Sequence, residues 1–110
     1  MRHAYLALIL ATTLFGCGGN RPASPIAVMR PTDGQLTCDR IDNEIAASEA
    51  AVNTRRAEID EAQSRRTYNA LAGGLIGAAT TEDGSAARVE IDAYSQRIAH
   101  LRGISRTIKC

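Results

Sequence analysis

The sequence predicts an all-α protein whose main element is an antiparallel two-helix hairpin, packed in the manner of a coiled coil. Two separate segments repeat apolar residues at alternating spacings of three and four, which is the pattern of helices that pack along one seam. A glycine-rich stretch lies midway between these segments. All three prolines, Pro22, Pro25 and Pro31, precede the first segment, so no proline interrupts either predicted helix.

The chain begins with a basic start and an apolar run that are typical of an export signal. Arg2 and His3 precede the twelve-residue run AYLALILATTLF, which ends at Phe15. A helix needs about 20 apolar residues to span a bilayer, so this run is too short for a transmembrane helix and fits the apolar region of a signal peptide. We therefore predict that residues 1–16 are a cleaved signal peptide that takes no part in the fold.

The end of this run, LFGC, resembles the lipobox of bacterial lipoproteins. Leu14, Gly16 and Cys17 match the motif, whereas Phe15 departs from the small or aliphatic residue usual at its position. The resemblance implies that Cys17 carries a diacylglycerol on its sulfur, that the leader is cut off before it, and that the new amino group is acylated. Two or three long acyl chains would hold the protein on a membrane, where one chain binds only marginally. Gly18 stands where lipoproteins of the inner membrane often carry Asp, so the resemblance favours the outer membrane.

Residues 17–37 are predicted to be the lipidated cysteine and a flexible tether. The stretch GGNRPASPIAVMRPTDGQLT, from Gly18 to Thr37, mixes Gly, Pro, Ser, Asn and Asp with scattered apolar residues. Such a composition buries too little apolar surface to order a chain by itself. Its expected role is to let the folded domain extend away from the lipid anchor.

Residues 38–110 are predicted to form the hairpin, with a glycine-rich bend at about residues 73–84. The seam of the second helix consists of Ala87, Ile91, Tyr94, Ile98, Leu101, Ser105 and Ile108. The seam of the first helix consists of Cys38, Ile41, Ile45, Ser48, Val52, Arg55, Ile59 and Ala62, and two polar residues interrupt it. With the helices antiparallel, Ile45 faces Leu101, Val52 faces Tyr94, and the midpoint falls at Gly73. Each glycine here costs about 1 kcal/mol in a helix relative to alanine, so the chain is expected to turn.

Charged residues beside the seam agree with this register only in part. Asp42 is placed favourably opposite Arg102, but Glu58 falls near Glu90. An exposed pair is worth less than about 1 kcal/mol, so the apolar seam should outweigh the conflict. A parallel or antiparallel homo-oligomer could use the same apolar stripes.

The register also brings Cys38 close to Cys110 at the open end of the hairpin. An exported protein meets an oxidising compartment, so we predict a disulfide between them, and closing a loop of this length contributes about 4 kcal/mol. Pairing between molecules, or a free Cys110, is the alternative. Cys17 is then left over, which suits lipidation; in an ordinary secreted protein it would instead be a disulfide partner or be lost with the leader.

No catalytic residue, metal site or cofactor is predicted. Without Arg2 the chain has as many basic as acidic residues, which gives no case for nucleic acid, and no small-molecule substrate is evident. No Cys or His pair has metal-ligand spacing. His100 and Arg97 are expected on the outward, solvated face of the second helix, so an enzyme is the least expected class.

The glycine-rich stretch permits two interpretations. AGGLIG lacks the Lys and Ser or Thr of a phosphate-binding loop. Gly73 and Gly77 form a G-x-x-x-G spacing within the apolar run from Ala70 to Ala79, which allows close helix contact or a dip into a bilayer. Ten residues are too few to span a membrane, and a flexible, partly apolar hairpin tip is the favoured interpretation.

The lipobox, the Pro-rich tether and two helical segments that open with TCDRIDNEI and close with RIAHLRGISRTIKC together resemble small envelope lipoproteins of Gram-negative bacteria with a cysteine at each end of a helical hairpin. The resemblance implies a non-catalytic protein that is lipid-anchored in the outer membrane and faces the periplasm. Its expected partners are the membrane, through the lipid on Cys17, and an envelope protein or a second copy of itself. A membrane-active, lysis-associated or secretion-associated lipoprotein that engages an inner-membrane partner through its helices is the alternative.

Overall fold

The computed structural model describes residues 21–79 and 81–110. This part of the chain contains two α-helices, α1 (Cys38–Ala79) and α2 (Ser85–Ile108), and one turn of 3-10 helix (Asp33–Gln35) before them. The helices pack side by side in opposite directions, and the described residues contain no strand. The predicted all-α, two-helix hairpin is confirmed. The predicted signal peptide and Cys17 lie outside the described residues.

Helix α1 reverses direction within its own length. At Gly74 the backbone has φ 63° and ψ −153°, a conformation that side chains with a Cβ rarely adopt. The residues after it return along the residues before it, because a Cβ added to Gly77 would lie 2.5 Å from the carbonyl oxygen of Asn69. Thr81 closes this return, because its hydroxyl accepts a hydrogen bond from the side-chain amide of Asn69 over 2.7 Å. The reversal therefore lies next to Gly73, the midpoint expected from the seam.

Helix α2 begins after a second glycine in the left-handed region. Gly84 has φ 72°, and a Cβ there would lie 3.2 Å from Cγ1 of Ile59, so this glycine allows α1 and α2 to approach closely. The Ser85 amide donates to the carboxylate of Asp83 over 2.9 Å at the start of the helix. At the other end Lys109 is left-handed and the Cys110 amide bonds the Ser105 carbonyl, which closes the last turn.

The core is a single thin layer along the two predicted seams. Its buried apolar side chains are Ile41, Val52, Ala62, Ala86, Ala87, Ile98 and Leu101. Ser48, one of the polar residues that interrupt the seam, is also buried. Its hydroxyl donates to the Glu44 carbonyl over 2.8 Å, so its hydrogen bond is made within α1. Only Ile108, the last residue of the predicted seam, is well exposed, at 45%.

The open end of the hairpin is closed by a disulfide between Cys38 and Cys110, whose Cα atoms are 5.5 Å apart. We call this bond the staple. Over the residues described, neither helix has an apolar stretch long enough to cross a membrane.

Candidate functional site

Residues 21–37, which we call the strap, run back along the hairpin and contact both helices. Ile26, Val28 and Leu36 are half-buried, and Asp33 is only 4% exposed. The strap ends at the staple and begins much farther along the hairpin, where Arg21 meets both helices. The composition predicted a flexible tether here and did not anticipate these contacts.

Four charged side chains hold the start of the strap, and we call them the bend-side cluster: Arg21, Arg55, Glu58 and Glu90. The Arg21 guanidinium donates to both carboxylates, with Nε to Oε1 of Glu58 at 2.7 Å and Nη1 to Oε1 of Glu90 at 2.7 Å. Arg55 of α1 adds a second positive charge, 2.9 Å from Oε2 of Glu58. The two glutamates that conflict in the predicted register are thus joined through two arginines.

Glu90 is the most enclosed member of this cluster. Its side chain is fully buried, and the Ser24 amide donates to it over 2.6 Å in addition to the two arginines. The hydrogen bond from Arg21 is the main cause that lowers the pKa of Glu90 from 4.5 to about 2, with the Ser24 amide and the charge of Arg55 contributing. Arg21 likewise lowers the pKa of Glu58 below its usual range. Both carboxylates are therefore ionised at neutral pH.

A second group of charges, the staple-side cluster, holds the other end of the strap: Asp33, Glu44, Arg97 and His100. Arg97 of α2 is 2% exposed and forms a two-pronged pair with Asp33, one prong being Nη2 to Oδ1 at 2.8 Å. It also donates to Glu44 of α1 over 2.6 Å and to the Val28 carbonyl over 3.2 Å. One guanidinium thus joins the strap to both helices.

Asp33 is the strap's contribution to this cluster. Besides Arg97 it accepts a hydrogen bond from the Arg30 amide over 2.8 Å, and its Oδ2 lies 3.1 Å from Nε2 of His100. The Arg97 guanidinium is the main cause that holds the pKa of Asp33 well below its usual range, and the same pair raises the pKa of Arg97. A bidentate, charge-assisted pair of this kind fixes geometry as well as charge.

The two helices present these residues on one side because of their spacing. Glu44, Ala51 and Glu58 recur every seventh residue in α1, and Glu90 and Arg97 do so in α2, each one position before a residue of the predicted seam. A seven-residue repeat keeps side chains on the same face of a helix that packs along a seam. The strap therefore meets a polar rim on both helices beside the apolar core.

Three expectations about charged residues are wrong. Arg97 was expected on the outward face of α2, but it is buried because the strap covers that side. His100 was expected to be solvated, but its side chain is only 30% exposed and bonds Asp33. Arg102 was expected to face Asp42, but it pairs with Glu49 over 2.8 Å.

The predicted disulfide residues, Cys38 and Cys110, are bonded, whereas Cys17 lies outside the described residues. In residues 21–79 and 81–110, no three His, Cys, Asp or Glu groups converge as a metal site would require. The carboxylates of both clusters are engaged by guanidinium groups. Such an arrangement holds the strap on the hairpin.

A second surface lies at the far end from the staple. Here α1 extends past the start of α2 and folds back on itself at Gly74. We call residues 68–76 the tip. Its exposed apolar side chains are Tyr68 at 71%, Leu71 at 84% and Ile76 at 81%.

Comparisons of the chain with models of protein families, with curated protein sequences and with solved structures give no match. No relative therefore lends a function to the strap or to the tip.

Proposed function

We propose that the protein is a lipid-anchored, non-catalytic structural or interaction protein of the bacterial outer membrane that faces the periplasm. The observation that carries the proposal is the assignment of the three cysteines. Cys38 and Cys110 form the staple, which leaves Cys17 at the end of a lipobox-like sequence. A thiol that follows an apolar leader, and that is left over once the other two cysteines are bonded to each other, suits acylation.

The strap supports an orienting role for the segment that joins lipid and hairpin. A flexible tether would let the hairpin tumble below the membrane, whereas a strap held by two charged clusters fixes where the chain leaves the hairpin. The lipid would then determine the direction of a stiff body. The part of α1 up to Gly73 is about 54 Å long at 1.5 Å per residue, which suits a protein that presents a surface at a set distance from the membrane.

The first experiment tests the anchor. Protein extracted from membranes of a Gram-negative host should have an intact mass that corresponds to a chain starting at residue 17 with two or three acyl chains. Cys17→Ser should leave the membrane fraction or retain its leader. An unmodified Cys17 in the native protein, or a Cys17→Ser variant that has lost its leader and still fractionates with the membranes, would contradict the proposal.

The second experiment seeks the partner. Photocrosslinking groups at Val89 and Gln96, which are exposed on α2, should capture one defined envelope protein or a second copy of the chain. The matched control is Ala57, which is exposed on α1 and belongs to neither charged cluster. Capture that is equal from all three positions would count against a specific partner.

A membrane-active role is the second candidate, because the tip exposes apolar side chains. In that case the purified protein should release a trapped dye from liposomes, and Leu71→Ser with Ile76→Ser should abolish the release. Retention of the dye would favour the structural role.

A further inference from the structure

The tip concentrates exposed apolar surface. Half of the large apolar side chains that are well exposed in the described residues belong to it, whereas Met29, Val89 and Ile108 are exposed at separate places. Isolated apolar side chains are normal on a protein surface, but a group of them at one end indicates contact with another apolar phase.

Charge is distributed so that this end is neutral. Residues 67–81 contain no Asp, Glu, Lys or Arg, a run of fifteen residues that covers the whole reversal. Arg65 and Arg66 immediately precede it. Arg65 is paired with Glu61, whereas the side chain of Arg66 is exposed and lines a surface depression with Ala70 and Leu71.

This order of residues matches the layers of a bilayer interface. Apolar side chains enter the acyl boundary, an aromatic ring such as that of Tyr68 lies at the headgroups, and an arginine reaches phosphate groups. We propose that the tip is a lipid-binding surface, in which Leu71 and Ile76 enter the interface of the membrane that holds Cys17 and Arg66 contacts lipid phosphates. This inference rests on the proposed lipidation of Cys17.

The strap makes the tip the end of the hairpin that is nearer to the lipid. Arg21 is held at the level of Glu58, and four residue steps from there to Cys17 span at most about 14 Å. Along α1, Leu71 is thirteen residues beyond Glu58, or about 20 Å, whereas the staple is twenty residues away in the other direction, or about 30 Å.

These lengths also indicate how deeply Leu71 would enter the membrane. If the chain from Arg21 is fully extended toward the tip, Leu71 passes the level of Cys17 by about 6 Å, and by more if it is not; the extended case agrees with the 5–10 Å to which interfacial helices bury their apolar face. The staple end cannot reach the same plane. The hairpin would then stand on its tip, with the staple directed away from the membrane.

A second copy of the chain is the other possible occupant of the tip, and the surface is too small for it. A specific protein interface buries about 800 Å² and some 20 residues on each side. The tip consists of nine residues, 68–76, whereas a bilayer needs no matching surface. We therefore assign the tip to lipid.

The chain has no tryptophan, so Leu71→Trp gives a single fluorescent reporter at the tip. The matched control is Val89→Trp, at an exposed site at the level of Glu90. The full protein is extracted from host membranes, its mass at residue 17 is measured, and it is reconstituted into vesicles of phosphatidylethanolamine and phosphatidylglycerol, with and without brominated acyl chains. We expect the Leu71→Trp emission to shift to shorter wavelength and to be quenched severalfold more by the brominated lipids than that of Val89→Trp.

Equal quenching of the two variants, or none, overturns the proposal. So does a shift of the Leu71→Trp emission that appears without vesicles and grows with protein concentration, because it would show a second copy at the tip. The mass measured at residue 17 tests the lipid anchor independently of the quenching, which tests the tip. A lipidated Cys17 with an unquenched Leu71→Trp leaves the proposed function in place and removes the tip contact, whereas an unmodified Cys17 with a quenched Leu71→Trp does the reverse.

Discussion

The strapped half of the hairpin and its tip are made from the same helix but are stabilised in different ways. Near the staple, α1 is enclosed by α2 on one side and by the strap on another, and its polar rim is satisfied by buried arginine. At the tip the same helix packs against a few returning residues and leaves Leu71 84% exposed. The strapped half therefore gives the molecule its stability, while the tip is free to present a surface.

The largest expected effect comes from opening the staple. Replacing Cys38 and Cys110 by Ser releases a loop with a sequence separation of 72 and should lower the free energy of unfolding by about 4 kcal/mol. A core this thin has little stability to spare, so the melting temperature should fall steeply. Thermal and urea unfolding followed by circular dichroism measure both.

Leu71→Ser is the control for this experiment. The side chain contacts solvent over most of its surface, so its loss should change the unfolding free energy by less than about 0.5 kcal/mol. If the tip variant destabilised the protein as much as the loss of the staple, the division between the two regions would be wrong.

The next effect comes from Arg97 in the staple-side cluster. Arg97→Met keeps much of the side-chain volume but leaves Asp33 buried without its partner, so we expect a loss of about 3 kcal/mol in urea unfolding. Arg102→Met is the matched control, because both side chains of its pair with Glu49 are at least half exposed and the pair is worth less than about 1 kcal/mol. If Arg97→Met lowered the unfolding free energy as little as Arg102→Met does, the strap would add nothing to the stability of the hairpin.

Acid should loosen the strap with a smaller loss, because the hairpin and staple remain. A carboxyl group whose folded pKa is lowered stabilises the fold above its unfolded pKa, and this contribution disappears as the pH falls toward the folded value. For Glu90 the window runs from 4.5 down to about 2, and Glu58 and Asp33 shift in the same direction. The strap should be docked at pH 7 and released across this range.

The Ser24 amide reports this release, since it donates to Glu90. In an NMR titration its chemical shift should change with a midpoint near the lowered pKa of Glu90. In Glu90→Gln the shift should no longer follow a carboxyl titration in this range. A midpoint near 4.5 in the unaltered protein would mean that Arg21 does not hold Glu90 in solution.

The sequence predicted the hairpin but not the strap, and the reason is physical. Apolar spacing of three and four is a local signal, so it identified the seams, and glycines, which are unfavourable in a helix, identified the turn. The conflict between Glu58 and Glu90 was visible, but its resolution by Arg21 depends on a residue far away in the chain. Charges one position before each seam, at Glu44 and Arg97, were the available clue.

The smallest expected effect comes from replacing glycine by alanine at the tip, and the same replacement in the strapped half provides the comparison. Gly77→Ala places a methyl group 2.5 Å from the Asn69 carbonyl, so the residues after Gly74 must move away from those before it. Because the described apolar core of α1 ends at Ala62, we expect faster amide exchange at residues 75–79 and a change below about 0.5 kcal/mol in global unfolding. Gly73→Ala, which has nothing within 4 Å, should leave this exchange unchanged or slow it.

Gly84→Ala belongs to the strapped half and requires φ 72° beside Ile59, so it should cost about 1–2 kcal/mol in global unfolding. If Gly77→Ala lowered the global stability as much as Gly84→Ala, the tip would be part of the cooperative core, and an independent surface for lipid would have no structural basis.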